Sequence, residues 1–239
     1  EALKANEGGQ YNIAIGHQSM LVHTGGLRNI AIGAFAMKDT DAGSPSKASD
    51  DCVLIGYNAG GGTWANQDCS NLIGIGTSAL AGALEGDTTD GPVAIGKEAL
   101  TALTSGAGNT AVGYQALDAT TTGNYNTVVG YQAATALPAG ANTNTAIGYQ
   151  SLTAGNNAST DHNTCVGYAS GDVITSGHSC TIIGSGADPG GATNTNETVI
   201  GYDATGQGSN TVTLGDANVT AVYMGQDSGA RVFAERLDL

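Results

Sequence analysis

The chain has 239 residues, of which 38 are Gly, 36 Ala and 28 Thr, with only two Phe and one Trp. Charged residues make up 12%, about half the share of an ordinary soluble domain, which argues against an enzyme built round one bulky core. An apolar share of 40% excludes a disordered chain and four Pro exclude collagen. With a net charge of −14, no Lys or Arg between Lys97 and Arg231 and no membrane-length apolar run, neither nucleic-acid binding nor membrane insertion is expected.

One phrase recurs along the chain. Residues 109–117 read NTAVGYQAL, 126–134 NTVVGYQAA, 144–152 NTAIGYQSL and 163–170 NTCVGYAS. Taken in chain order, the opening residues Glu1, Ala2 and Leu3 match Glu98, Ala99 and Leu100, which follow an anchor glycine. The chain is therefore expected to begin inside a coil, as a fragment of a longer fibre. Anchors then stand at Gly16 and Gly33. Longer steps of 23, 20 and 20 residues lead to Gly56, Gly76 and Gly96, and place insertions at 38–51, 60–70 and 81–91 in the same phase of three successive coils. The anchors continue at Gly113, Gly130, Gly148, Gly167, Gly184, Gly201 and Gly215, mostly 17 residues apart with a last step of 14. Residues 1–222 are read as one repeat domain, and 223–239, where charge returns, as a C-terminal exit segment.

Each position of the repeat asks for one kind of residue. The residue before every anchor is Ile, Val or Leu, and the residue three before is Ile, Val or Thr. Between them sits a mostly small residue, as in Ala14, Ala31 and Ala94. This predicts a short strand, apolar and buried on both faces. The anchor Gly permits a backbone conformation, or a close approach, that a Cβ would disfavour. Three residues after it, Ala or Ser in eleven of twelve copies predicts a second short strand in tight space. Such a coil cannot bury itself and must stack. The fold class expected is an all-β parallel β-roll solenoid of about twelve coils. Its small-residue face, carrying Ala94, Ala111, Val128 and Ala146, is expected to pack about a self-association axis, three-fold in the favoured reading and two-fold in the other.

The phrase Asn-x-Ala-Ile-Gly-x-x-Ala, with its Gly and Thr turns, resembles the head repeats of trimeric autotransporter adhesins of the YadA type, repeats that also occur in phage tail fibres. The resemblance covers most of the chain. It implies a left-handed parallel β-roll, three of which pack into one head. The family's short repeat matches only the last step here, so the usual step of 17 implies a longer turn on each coil. Residues 210–223 are similar to the segment that precedes the self-cleaving chaperone of phage tail fibres. The function implied is that of a structural and adhesive part of an extracellular homotrimeric fibre, most readily a phage tail fibre, attaching to a glycan or protein of a bacterial surface. The alternatives are a bacterial adhesin head and a polysaccharide-degrading tail spike.

Candidate sites divide between a functional and a structural reading. Tyr57, Tyr114, Tyr131, Tyr149, Tyr168 and Tyr202 follow anchors and predict a ladder down one edge, either an aromatic strip for sugars or a cover for the coil corner. Loops on a rigid scaffold favour recognition, so Trp64, Asp68, Asp87 and Asp90 are candidate surface-binding residues, with Trp64 folding back onto the roll as the other possibility. The loop aspartates, including Asp39, Asp41, Asp50 and Asp51, lack the spacing of a calcium loop and are read as solvated turn residues. Cys52, Cys69, Cys165 and Cys180 are read as buried free thiols, the first pair being less constrained against bridging than the second. His17, His23, His162 and His178 form no catalytic arrangement with Ser or Cys, so no enzyme, metal or cofactor is expected. A flat outward Thr array, which an ice-binding solenoid needs, is not expected either, because the Thr precedes the residues read as buried.

Overall fold

The computed structural model describes residues 1–40, 49–64, 69–85 and 91–222. Twelve three-residue strands each end on the residue before an anchor glycine. They are β1 (Ile13–Ile15), β2 (Ile30–Ile32), β3 (Val53–Ile55), β4 (Ile73–Ile75), β5 (Val93–Ile95), β6 (Thr110–Val112), β7 (Thr127–Val129), β8 (Thr145–Ile147), β9 (Thr164–Val166), β10 (Thr181–Ile183), β11 (Thr198–Ile200) and β12 (Val212–Leu214). They pair in chain order as one parallel sheet, which makes the fold an all-β parallel solenoid. The register does not slip: Ile13 lies beside Ile30, Thr110 beside Thr127 and Thr198 beside Val212. Ile, Val and Thr favour these strands because branched side chains pack well on a pleated surface.

All twelve anchors have positive φ. At Gly113, φ is +139°, and an added Cβ would collide with the carbonyl of Gly130 on the next coil. Glycine is needed there both for its backbone angle and for the closeness of the coils.

The second strand expected after each anchor is not formed; that segment is a turn. Gln115 and Leu117 both lie in the left-handed region, with φ of 51° and 55°, and the same alternation recurs in most coils. The turn is nevertheless bonded from coil to coil as a strand would be. Gln115 N–H donates to the Lys97 carbonyl at 2.9 Å, and Leu117 N–H to the Ala133 carbonyl at 3.1 Å. The Ala or Ser three residues after the anchor does sit in tight space, buried between these two bends.

The core is a thread of side chains inside the coils. The middle residue of each strand points inward, opposite the residue six positions later. The two vary in size against each other. Ala31 faces Met37, Ala94 faces Leu100, Ala111 faces Leu117 and Ala146 faces Leu152. Where the strand residue is larger, its opposite is smaller, as in Leu54 with Gly60, Val128 with Ala134 and Cys165 with Gly171. The interior volume per coil is thus kept nearly constant, as close packing requires.

A second thread is polar. Asn109, Asn126, Asn144 and Asn163 are fully buried just before their strands. Asn126 Oδ1 accepts the backbone N–H of Asn144 at 3.0 Å and its Nδ2 at 3.1 Å, and Asn126 Nδ2 donates to the Ala141 carbonyl at 2.9 Å. No role was expected of these asparagines from the sequence. The clue was the recurrence of Asn at one fixed place before the strand.

Candidate interaction surface

Alternation along each strand decides which side chains leave the coil. Ala94, Ala111, Val128 and Ala146, expected on a self-association face, are fully buried inside a single chain. A coil this narrow has room for Ala opposite Leu, so the small residues turn inward and the larger aliphatics turn out. These four residues therefore cannot form a face between chains.

The outward face consists of the first and third residue of every strand. From β1 to β5 both positions are aliphatic, as in Ile30 with Ile32 and Val93 with Ile95. From β6 to β11 the first is always Thr, namely Thr110, Thr127, Thr145, Thr164, Thr181 and Thr198, while the third remains Val or Ile. Exposure of the aliphatic residues varies along the stack: Ile15 is 58% exposed, Ile147 39% and Ile200 41%, while Ile32, Ile55, Ile75 and Val112 are less exposed. The six threonine hydroxyls have no hydrogen-bond partner among the described residues. The threonines are thus arrayed outward, contrary to the expectation that this position would be covered.

On another edge, Tyr114, Tyr131, Tyr149 and Tyr168 stack at centroid distances of 5.0, 5.4 and 5.2 Å, with Lys97 Nζ 5.5 Å from the Tyr114 ring centre. Tyr57 instead meets Phe35 edge to face. Inside the ladder each ring lies on its neighbour, so ring faces that a sugar would need are occupied by other rings. Beside it, Gln132 Nε2 donates to Gln115 Oε1 and Gln115 Nε2 to Glu98 Oε2, at 3.0 and 2.9 Å. Both ladders stitch coils together.

The loop candidates fare differently. Trp64, read as a possible surface contact, is fully buried. Its ring fills the space beside Gly60 and Leu54, because the preceding glycines let the loop fold back onto the roll. Asp68, Asp87 and Asp90 lie outside the described residues, as does Asp41. Asp50 Oδ1 accepts the Leu27 N–H at 2.7 Å, and Asp39 Oδ2 accepts the Thr63 hydroxyl at 3.0 Å. Asp51 takes a bidentate pair from Arg28 at 2.6 and 2.7 Å, and this holds its carboxyl below the usual carboxylate range. These aspartates tie coil to coil rather than forming one centre. The four cysteines are buried and unbridged; burial pushes the Cys52 thiol up to about 12.

Two carboxyl groups near the C-terminal end were not singled out from sequence. Glu197 is fully buried in a place Asn occupies in other coils, and accepts Gly208 N–H at 2.8 Å and Asn194 Nδ2 at 3.0 Å. Asp188 stands at the inward position opposite Ile182, and its Oδ1 is buried without a partner. Burial pushes its pKa up to about 7, helped by the charges of Asp172 and Asp203. Among the described residues no three His, Cys, Asp or Glu side chains come together as a metal site, and no helix is long and apolar enough to cross a membrane. No protein-family model, curated protein or solved structure matches this sequence.

Proposed function

We propose that the chain is a structural and adhesive module of an extracellular homotrimeric fibre, a left-handed β-roll that self-associates through the outward Ile, Val and Thr face. The single observation that carries this reading is the partly exposed aliphatic column running from Ile15 to Leu214, with one residue from every strand. Twelve rungs at ~4.8 Å and a strand width of ~10 Å give a strip of roughly 500–600 Å² on each chain. Two such strips together reach the ~1,000 Å² at which specific interfaces begin. A strip of that size, part aliphatic and part threonine, lies at the upper end of the patches that monomers leave in water, and such patches often mark interaction sites.

A phage tail fibre is the setting that the repeat phrase favours, with attachment to a bacterial surface as its role. Weak loop contacts would then gain avidity from being present three times. A bacterial adhesin head is the alternative setting, and a polysaccharide-degrading spike the third. Native mass spectrometry tests assembly: the expected species has three times the 23.6 kDa chain mass. A stable monomer at micromolar concentration would sink the reading. Release of reducing ends from capsule or lipopolysaccharide would move the chain to the third.

The outward threonines favour one further reading. If the face stays free, its regular Thr and Val or Ile columns suit an ordered water or ice lattice. Thermal hysteresis by a monomeric chain would support that reading, and its absence would dismiss it.

A further inference from the structure

The tyrosine ladder has a gap. Tyr149 and Tyr168 stack at 5.2 Å, but the next rung carries Ser185 in place of a ring, and Tyr202 follows on the rung after that. The three positions lie in register: Gly186 N–H donates to the Tyr168 carbonyl at 2.8 Å, and Asp203 N–H to the Ser185 carbonyl at 2.9 Å. The glutamine column beside the ladder stops at the same place. Gln115, Gln132 and Gln150 are followed by Ala169 and Gly186, and then by Asp203. The result is a trough one rung high and two columns wide, floored by Ser185 and Gly186 between Tyr168 and Tyr202. We infer that this trough binds one uncharged pyranose ring, which lies over the open side of Tyr168 with its hydroxyls donating to Asp203. The inference rests on the adhesive reading above, and names the ligand class and the place.

The gap has the right height. At ~4.8 Å per rung, Tyr168 and Tyr202 stand roughly 10 Å apart. That leaves room for one ring at the spacing the ladder itself uses, 5.0 to 5.4 Å between centroids. Tyr168 is 59% exposed, against 43% for Tyr149, which has a ring on either side. An open tyrosine face suits the apolar C–H face of a sugar. The polar groups decide which kind of ring fits. The Asp203 carboxylate turns over Gly186, where an added Cβ would collide with its Oδ1. Neither this carboxylate nor the Ser185 hydroxyl has a hydrogen-bond partner among the described residues. Both residues are exposed, within reach of hydroxyls on the rim of a ring. A ring without donors, such as a phenylalanine side chain, would cover the carboxylate and offer it nothing. An acidic sugar is disfavoured by charge. Asp172 and Asp203 both act on Asp188 nearby, and no Lys or Arg lies between Lys97 and Arg231.

The test uses the intact chain with carbon-13 in its tyrosine rings, titrated with methyl β-D-glucopyranoside and methyl β-D-galactopyranoside. The ring signals of Tyr168 and Tyr202, assigned through Tyr168→Phe and Tyr202→Phe, should shift and saturate in the millimolar range. The signal of Tyr131, inside the ladder, should stay still. Ser185→Tyr fills the trough with the residue the ladder uses elsewhere, so it should keep the fold and weaken binding about tenfold or more. Asp203→Asn removes the charge while tolerating the left-handed φ of 51°, and should weaken binding roughly threefold. Methyl β-D-glucuronide should bind the parent more weakly than the glucoside does, and Asp203→Asn should narrow that difference. No shift at Tyr168 or Tyr202 with either glycoside overturns the inference, as does equal binding by Ser185→Tyr. Tighter binding of N-acetylphenylalaninamide than of either glycoside also overturns it, and makes the occupant a protein side chain. Native mass keeps the two readings apart. A trimer without shifts loses this site and keeps the assembly, whereas a monomer that binds the glycosides loses the assembly and keeps the site.

Discussion

A Cβ added to Gly60 would run into Cδ1 of Leu54, six residues earlier on the inner side of the same coil. The same pair of positions holds Ala111 and Leu117 three coils on, and Val128 and Ala134 in the coil after that. The interior is therefore conserved as a sum of two side chains rather than residue by residue.

That relationship predicts a favourable coupling. Leu117→Ala alone should cost roughly 2–4 kcal/mol, as a cavity opens. Ala111→Val alone should cost roughly 1–3 kcal/mol, as the coil is overfilled. The double variant copies the neighbouring coil, and its cost should fall below the sum of the two by at least about 1 kcal/mol. Urea denaturation of the four proteins completes the cycle, and simple additivity would refute the compensation.

The asparagine ladder should be as demanding as the apolar thread. Asn126→Ala deprives the buried Asn144 N–H of its acceptor and removes a donor to Ala141. A loss of roughly 2–4 kcal/mol is expected, since buried polar groups are left unpaired. Asn6→Ala, at an exposed turn, should stay within about 0.5 kcal/mol. Comparable losses for the two would mean the buried ladder is not a principal support of the stack.

Adjacent residues on one strand separate folding from assembly. Ala111→Glu drives a charge into the coil interior, and should cost more than about 3 kcal/mol and lose the circular-dichroism signal of the fold. Val112→Glu places the charge on the outward face, and should leave a folded chain that no longer associates. If Val112→Glu assembles as the parent does, the outward face is not the interface.

Asp188 gives a pH dependence of known sign. Its pKa is about 7 in the fold and ordinary, near 3.9, in the unfolded chain. The unfolded chain therefore loses this proton first. The stability linked to it is complete below about pH 4 and declines as the pH rises to about 7. Asp188→Asn should flatten this decline, raising the thermal midpoint at pH 8 relative to the parent and changing it less at pH 4. An unchanged difference between the parent and variant midpoints from pH 4 to pH 8 would show that Asp188 does not titrate in that range.

The strands were legible because Ile or Val before each anchor and Ile, Val or Thr three before it can only alternate about the residue between. All twelve lie where that pattern puts them. Which side of the strand is inside was not legible. With Ala on one face and Ile on the other, period-two alternation names no interior. Size points to the inside only once the width of the coil is known, and Leu117 supplies that width from outside the strand. The second strand was misplaced because Ala116 signals crowding, and crowding is shared by a strand and by a left-handed turn. Trp64 carries no periodic signal at all, and its burial depends on how three preceding glycines bend.

The left-handed turns carry a consequence for how long the assembled stack lasts. Residues such as Gln115, Leu117 and Tyr125 each hold a backbone angle that costs ~1 kcal/mol or more. That cost is met only when a neighbouring coil accepts and donates its hydrogen bonds. A coil by itself has the strain without the relief, so growth must proceed on a coil already in place, and loss must begin at the ends. Opening the middle would expose two strained surfaces at once. The durability of such a stack then lies in the height of that barrier, so that its lifetime under attack is governed by rate more than by equilibrium.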